Sequence, residues 1–354
     1  MGARNGDFTV HFRGGVHSAT GVFKATWSKL TQSVPPAFMA ALLLGGAFLL
    51  FLAWDQSHWW HTKEDYSFGW LVPVFTAYVI YDRWGAILTA LGGCAAAGSP
   101  RAGGAMKWLL VLMAAAMMLC GALFFLLGAF YRAGAGPSYP GTLALTMGTA
   151  GILFALLFFN LPESPSPARS GFWDDARVRL AGLFLFPILI WFVSAPMVSV
   201  VENQLSLFLL HKVVSVVSFV FDVLGMPVEQ EGNVLLLPTG RVGVEEACSG
   251  IRSLTACLFA GSFLAAMFLN RLWKKMALVA ASMVLAFVTN LIRSLFLTAW
   301  AYNYGPKAIE GTVHDAAGYS VLGLTMIGLL CLLPLFNLKL ATLVEPEDNG
   351  AQKL

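Results

Sequence analysis

Apolar residues along this chain come in long runs broken by short polar stretches, the pattern of helices that cross a bilayer. Eight runs stand out: Ala37–Ala53, Phe68–Tyr81, Trp108–Phe130, Thr142–Leu161, Leu180–Val198, Ile251–Leu269, Met276–Ala301 and Ala316–Leu338. The second is short and contains Pro73, and the Ala- and Gly-rich stretch Gly85–Gly98 reads as a loop or re-entrant piece. A further apolar stretch, Leu205–Leu224, differs. Gln204, His211, Ser215, Ser218 and Asp222 trace one helical face along it, and Lys212 falls near its middle. A lysine at the centre of a span costs about 2.5–3.5 kcal/mol, so this segment is expected to lie on the outer surface as an amphipathic helix. Beyond it, Asn233–Leu237 and Val242–Val244 flank Pro238-Thr-Gly240, a turn between two short strands. The expected architecture is an all-α polytopic membrane protein. It has about eight transmembrane helices, an outer amphipathic helix and a small β-hairpin.

Composition agrees: 58% of the 354 residues are hydrophobic and 12% charged, with a mean hydropathy of +0.72. A soluble domain carries about twice that charge fraction. The net charge of +3 is small and dispersed, which excludes nucleic acid as a partner. Lys and Arg instead set the orientation. With the N-terminus in the cytoplasm and eight crossings, fifteen of them fall in inside segments, among them Arg83, Arg101, Lys107, Arg169, Arg177, Arg179, Arg271, Lys274 and Lys275. Five fall outside, Lys63, Arg132, Lys212, Arg241 and Lys307, while Arg252 and Arg293 lie within spans. Residues 1–36 then form a cytoplasmic tail with no signal-peptide pattern, 37–338 a transmembrane domain and 339–354 a second cytoplasmic tail.

Ionisable residues inside a membrane are expensive and point to function. Arg293 lies about 13 Å along its helix from Tyr302, deeper than snorkelling favours. Of the five cysteines, Cys94, Cys120, Cys257 and Cys331 lie in or beside apolar runs, where a thiol behaves as a small hydrophobe. Cys248, in Glu245-Glu-Ala-Cys-Ser-Gly-Ile-Arg252, opens a span instead. The start of a helix lowers a thiol pKa and offers N–H groups to an oxyanion. His314 opens the last span, in His314-Asp-Ala-Ala-Gly318, and His58-Trp-Trp-His61 reads as an interfacial aromatic belt. Cys248, Arg293 and His314 converge on the outer half of three consecutive spans. A nucleophile, a cation for an oxyanion and a proton donor for a leaving amine are what amide cleavage requires. No C-x-x-C or Cys/His metal spacing occurs, so neither a metal nor another cofactor is expected.

At these residues the chain resembles the exosortase/archaeosortase family of membrane transpeptidases. The resemblance runs from about Asp65 to Phe336. It rests on Asp65-Tyr-Ser-Phe-Gly-Trp-Leu-Val-Pro73, Glu231-Gly-Asn233, Glu246-Ala-Cys-Ser-Gly-Ile-Arg252, Asn290-Leu-Ile-Arg293 and His314-Asp-Ala-Ala-Gly318, in order and at this spacing. Members often have Ser-His-Gly where this chain has Ser67-Phe-Gly69. The resemblance implies Cys248 as nucleophile, Arg293 as catalytic arginine and His314 as third member, the histidine matching the bacterial branch. It implies secreted protein substrates that end in a Pro-Glu-Pro motif, one transmembrane helix and a basic tail. These would be cut outside the cytoplasmic membrane and passed to an acceptor, lipid- or glycan-linked species being the candidates. The systems involved are often linked to exopolysaccharide production. Arg252 is the candidate for binding the substrate glutamate. Two other readings stay open on the residues alone: a thiol protease that only hydrolyses, and a multi-pass transporter. A transporter places its polar residues along a path through several spans, whereas here they gather on one side.

Overall fold

The computed structural model describes residues 34–162, 164–165, 167–243, 250–269 and 271–337. The tail expected over 339–354 lies outside these residues, as does that over 1–36 except for Val34–Pro36, and Cys248 lies outside them too. In chain order the helices are α1 Pro36–Thr62, α2 Leu71–Asp82, α3 Trp84–Ala95, α4 Gly104–Ala135, α5 Tyr139–Phe159 and α6 Ala176–Leu183. There follow α7 Leu185–Ser194, α8 Ser199–Val223, α9 Ile251–Phe268, α10 Leu272–Tyr304 and α11 Thr312–Asn337. A 3-10 turn, Glu64–Trp70, joins α1 to α2. The strands are β1 Pro100–Ala102, β2 Ala168–Ser170, β3 Glu229–Glu231, β4 Val234–Leu237 and β5 Gly240–Gly243. The chain is an all-α polytopic membrane protein with only small sheets.

Seven helices have the length and apolarity of a membrane crossing, or eight when α6 and α7 count as one bent span. Their contacts refine that list. Although α8 passes the test, neither of its ends reaches the face opposite the β3–β5 sheet. Next to its first turn, the Met197 N–H donates to Tyr66 Oη in the 3-10 turn, while Phe221 near its last turn packs on Tyr302 at the end of α10. Leu210, Val213, Val214 and Val217 bury the intervening face against the sheet and α10. It is the surface helix expected from its polar stripe. The hairpin is present as β4–β5, extended by β3 into a three-stranded antiparallel meander.

The short run containing Pro73 is a crossing in spite of its length. Asp65 meets Arg252 at one end of α9 and Arg83 meets Ala266 at the other, so residues 64–83 run beside the whole of α9. Phe68 stacks on Phe259 and Phe75 on Phe259 and Phe263, a ladder of aromatic faces between the two elements. Phe68, in the middle of Ser67-Phe-Gly69, is thus a packing residue. At Gly69 any side chain would strike the Trp60 indole, 2.1 Å from the Cβ position.

One sequence expectation is narrowed and another corrected. Gly85–Gly98 is mostly helical, as α3 over Trp84–Ala95, with Ile87 and Leu91 buried in a cluster at the opposite face. The His58–His61 segment is no interfacial belt at its tryptophans. Trp59 and Trp60 are buried, donating to Thr142 Oγ1 at 2.8 Å and the Ser194 carbonyl at 3.1 Å. Buried polar groups around them tie four spans together. Asp55 accepts from Thr142 at 2.6 Å and faces Arg132 at 3.3 Å, and Gln56 bridges Thr146 and Ser194. Glycines set the closest approach, between α4 and α5: a Cβ on Gly148 would sit 2.4 Å from the Phe125 nitrogen.

The run Leu180–Val198 is broken into α6 and α7, inclined by 40°. Pro187 has no N–H to offer the Leu183 carbonyl four residues earlier, which a straight helix requires. Arg83 takes that role. Its Nη1 donates to the Leu183 oxygen at 2.8 Å and its Nη2 to the Ala266 oxygen at 3.2 Å, where α9 ends. At the start of α6, Asp175 accepts from the N–H groups of Ala102 and Arg177 and pairs with the Arg177 guanidinium. Burial alone would raise this carboxyl, but the Arg177 guanidinium and the two N–H groups outweigh it and hold it below its ordinary value. A depressed carboxylate stabilises the fold above its ordinary titration range and loses that contribution as pH falls through the folded value.

Candidate active site

The starts of α9 and α11, the middle of α10 and the 3-10 turn meet beneath the β3–β5 sheet. Gly250 enters α9 with a left-handed φ of 81°, and a Cβ there would lie 2.7 Å from the Asn290 amide nitrogen. Only glycine satisfies both demands, so the start of α9 is seated directly on α10 at Asn290. One turn along α10, Arg293 turns toward the first turn of α11. Its Nη2 lies 2.9 Å from His314 Nε2. A guanidinium only donates, so in this contact Nε2 is the acceptor. Arg293 Nε is buried and has no hydrogen-bond partner among the described residues.

Arg252, two residues after Gly250, does not reach this pair. It crosses to the 3-10 turn, where its Nη2 lies 2.5 Å from Glu64 Oε2 and its Nε donates to Asp65 Oδ1 at 3.2 Å. Thr255 Oγ1 reinforces the junction by donating to the Asp65 carbonyl at 3.0 Å. Reasoning from local sequence missed these two carboxylates as partners, although Asp65 opens the first motif. Nothing in the spacing of residues 187 apart announces a contact.

Openings surround the pair on three sides. A polar cavity of about 430 Å³ is lined by Glu64, Gly250, Arg252, Asn290, Arg293 and His314. A smaller one, about 190 Å³, lies on the other side of His314 and takes in Arg241, Gly243 and Glu310. The third is an apolar groove of about 450 Å³ between α10 and α11, walled by Ile292, Phe296, Trp300, Ala316 and Ala317. Arg293 belongs to both the polar cavity and the groove, and His314 to the polar cavity and the smaller one. The structure thus brings two of the three residues singled out from sequence, Arg293 and His314, into contact. Cys248 lies in the stretch 244–249 outside the described residues.

The four described cysteines are elsewhere, Cys94 and Cys257 buried and Cys120 and Cys331 exposed. Among the described residues no cluster of three His, Cys, Asp or Glu side chains is arranged to hold a metal. Fold and site define a polytopic helical membrane protein. Its arginine–histidine pair joins a polar cavity to an apolar groove at one face. Residues 59–331 match the family model of the transmembrane exosortases, and the chain belongs to that family. It is a membrane protein of the exosortase type. No curated protein and no solved structure matches it.

Proposed function

We propose that the chain is a membrane cysteine transpeptidase. It cleaves the C-terminal sorting signal of secreted proteins, a Pro-Glu-Pro motif followed by a transmembrane helix, and transfers them to an acceptor. The observation that carries this reading is the contact of Arg293 with His314 at the edge of a polar cavity that Gly250 also lines. Cys248 stands two residues before Gly250 in the sequence. Two peptide units separate Cys248 from Gly250, which keeps their Cα atoms within about 7 Å. On this reading Cys248 is the nucleophile served by the Arg293–His314 pair.

The mechanism follows from the donor set. As the thiol adds to the scissile carbonyl, Arg293 turns its fork to the developing oxyanion and releases His314 Nε2. That nitrogen takes the thiol proton and returns it to the leaving amine, so the C–N bond breaks and a thioester forms on Cys248. An acceptor nucleophile then attacks the thioester, giving up its own proton to His314 and regenerating the thiol. Substrate reaches the site held by its own helix. The groove between α10 and α11 offers an apolar approach ending at Arg293. Arg252 is already satisfied by Glu64 and Asp65. Its binding of a substrate glutamate therefore requires the incoming carboxylate to displace or join those two.

Co-expression with a tagged substrate and intact-mass analysis of its C-terminus tests the reading. Wild type should remove the helix and tail and leave an added mass on the new C-terminus, whereas Cys248→Ala should accumulate in the membrane and leave the substrate whole. Continued cleavage by Cys248→Ala excludes the mechanism. A plain carboxylate on every cleaved chain makes the enzyme a protease.

The same reading places the sheet-bearing face outside the cytoplasmic membrane. Arg83, Arg101, Lys107, Arg169, Arg177, Arg179 and Arg271 lie toward the opposite face, as the preference of basic residues for the cytoplasm requires. In intact cells, Lys307→Cys should gain labelling by an impermeant maleimide relative to the parent chain, and Arg179→Cys should not. Both positions are exposed. Labelling confined to Arg179→Cys would invert the orientation.

A further inference from the structure

A further cavity, of about 420 Å³, lies at the face opposite the site. It is lined by Arg101, Lys107, Arg169 and Arg177 above an apolar wall that includes Val111 and Phe158. Strands β1 and β2 pair in parallel with Arg101 directly across from Arg169. Like charges in register across a ladder oppose the pairing. Gly103 leaves room for this arrangement, since a Cβ there would sit 3.2 Å from Arg169 Cγ. Arg177 is matched by Asp175 and lies over the Phe158 ring at 4.6 Å, and Arg101 donates to the Pro162 carbonyl at 2.6 Å. Arg169 and Lys107 are exposed and have no carboxylate within ion-pair distance among the described residues. The pocket is bounded by the start of α4 and the end of α5, two crossing helices, and so lies at headgroup depth. Trp108 and Trp173 are largely exposed nearby, as interfacial anchors are.

We propose that this pocket binds an anionic glycerophospholipid. The phosphate would sit between Arg169 and Lys107, and an acyl chain would run down the wall formed by Val111 and Phe158. Guanidinium and ammonium donors match phosphate oxygens, and a bound anion relieves the repulsion between Arg101 and Arg169. A basic pocket between transmembrane helices that continues into apolar wall is the arrangement that recognises such headgroups. The site is remote from the Arg293–His314 pair and independent of the function proposed for it.

The test uses the full chain purified in neutral detergent and titrated with phosphatidylglycerol or phosphatidylcholine, read by thermal unfolding and native mass spectrometry. Phosphatidylglycerol should stabilise wild type saturably and phosphatidylcholine should not. Arg169→Gln with Lys107→Gln should bind phosphatidylglycerol roughly thirtyfold more weakly, at about fivefold for each cation removed. Arg179→Gln, outside the pocket, should bind as wild type does. Arg169→Gln alone should melt higher than wild type without lipid and lower with it. A merely structural arginine would not produce that reversal. Equal stabilisation by both lipids overturns the proposal, and so does unchanged affinity in the double variant or in Arg169→Gln alone. An equal loss in Arg179→Gln reduces the effect to surface charge and overturns it as well. Stabilisation by inorganic phosphate at the same concentrations makes this a free-anion site and overturns the lipid assignment.

Discussion

Arg293→Lys is expected to lower the rate of substrate cleavage by about 10²–10³-fold, the scale of losing one oxyanion donor, while membrane accumulation stays unchanged. The argument rests on geometry. One edge of the fork holds His314 Nε2 at 2.9 Å while the buried Nε has no partner among the described residues. A planar cation holds the histidine at rest and can then turn its fork of donors to a developing oxyanion. An ammonium is a single point of charge and cannot reproduce that geometry. Arg293→Gln keeps an amide donor but loses the charge, and should fall at least as far. Initial rates of processing in co-expressing cells, normalised to enzyme level, give the answer. A lysine variant within threefold of wild type would remove Arg293 from the chemistry.

The second large effect is structural. Asp55→Leu should destabilise the protein by about 3–5 kcal/mol, the cost of leaving a buried cation without its partner. Asp55 is 1% exposed and its side chain faces Arg132, whose own side chain is 17% exposed. At 3.3 Å the two are ion-paired without hydrogen-bond alignment, and the Arg132 guanidinium also lies over the Trp54 ring at 4.7 Å. Asp55→Leu combined with Arg132→Leu should recover most of the loss, since an apolar pair of similar volume replaces a buried ion pair at little cost. Thermal melts of the two variants in one detergent decide it. A double variant no more stable than the single would show that Asp55 matters through Thr142 alone.

Much of the fold was legible because a bilayer demands long apolar helices, and those leave runs that composition alone reveals. The harder judgements turned on single residues. Lys212 and the polar stripe kept α8 on the surface, although its length and apolarity would allow it to cross. The Pro73 run was legible as a crossing only weakly, because its apolar helix has 12 residues. What makes it a crossing is the 3-10 turn before it and the aromatic ladder on α9. Long-range pairings were not legible. Asp55 with Arg132, Arg252 with Glu64 and Asp65, and the β1–β2 ladder join residues far apart in sequence, and no local pattern encodes them. Trp59 and Trp60 misled for a related reason. A Trp-Trp pair near a helix end has the composition of an interfacial belt, and burial under Tyr139 and Trp191 is visible only in three dimensions. At the candidate site, Arg293 and His314 were legible because charge and imidazole are rare in apolar runs.

The bond from Arg83 to the Ala266 carbonyl has a bearing on how the chain is made. Its acceptor is synthesised 183 residues after its donor. At about 5–20 residues per second, that is an interval of roughly ten to forty seconds. During it, a helix of 12 residues, too short to hold a bilayer position unaided, carries an arginine whose second acceptor does not yet exist. The aromatic faces of Phe68 and Phe75 wait equally long for Phe259 and Phe263. The second crossing therefore settles late, after the sixth has been delivered.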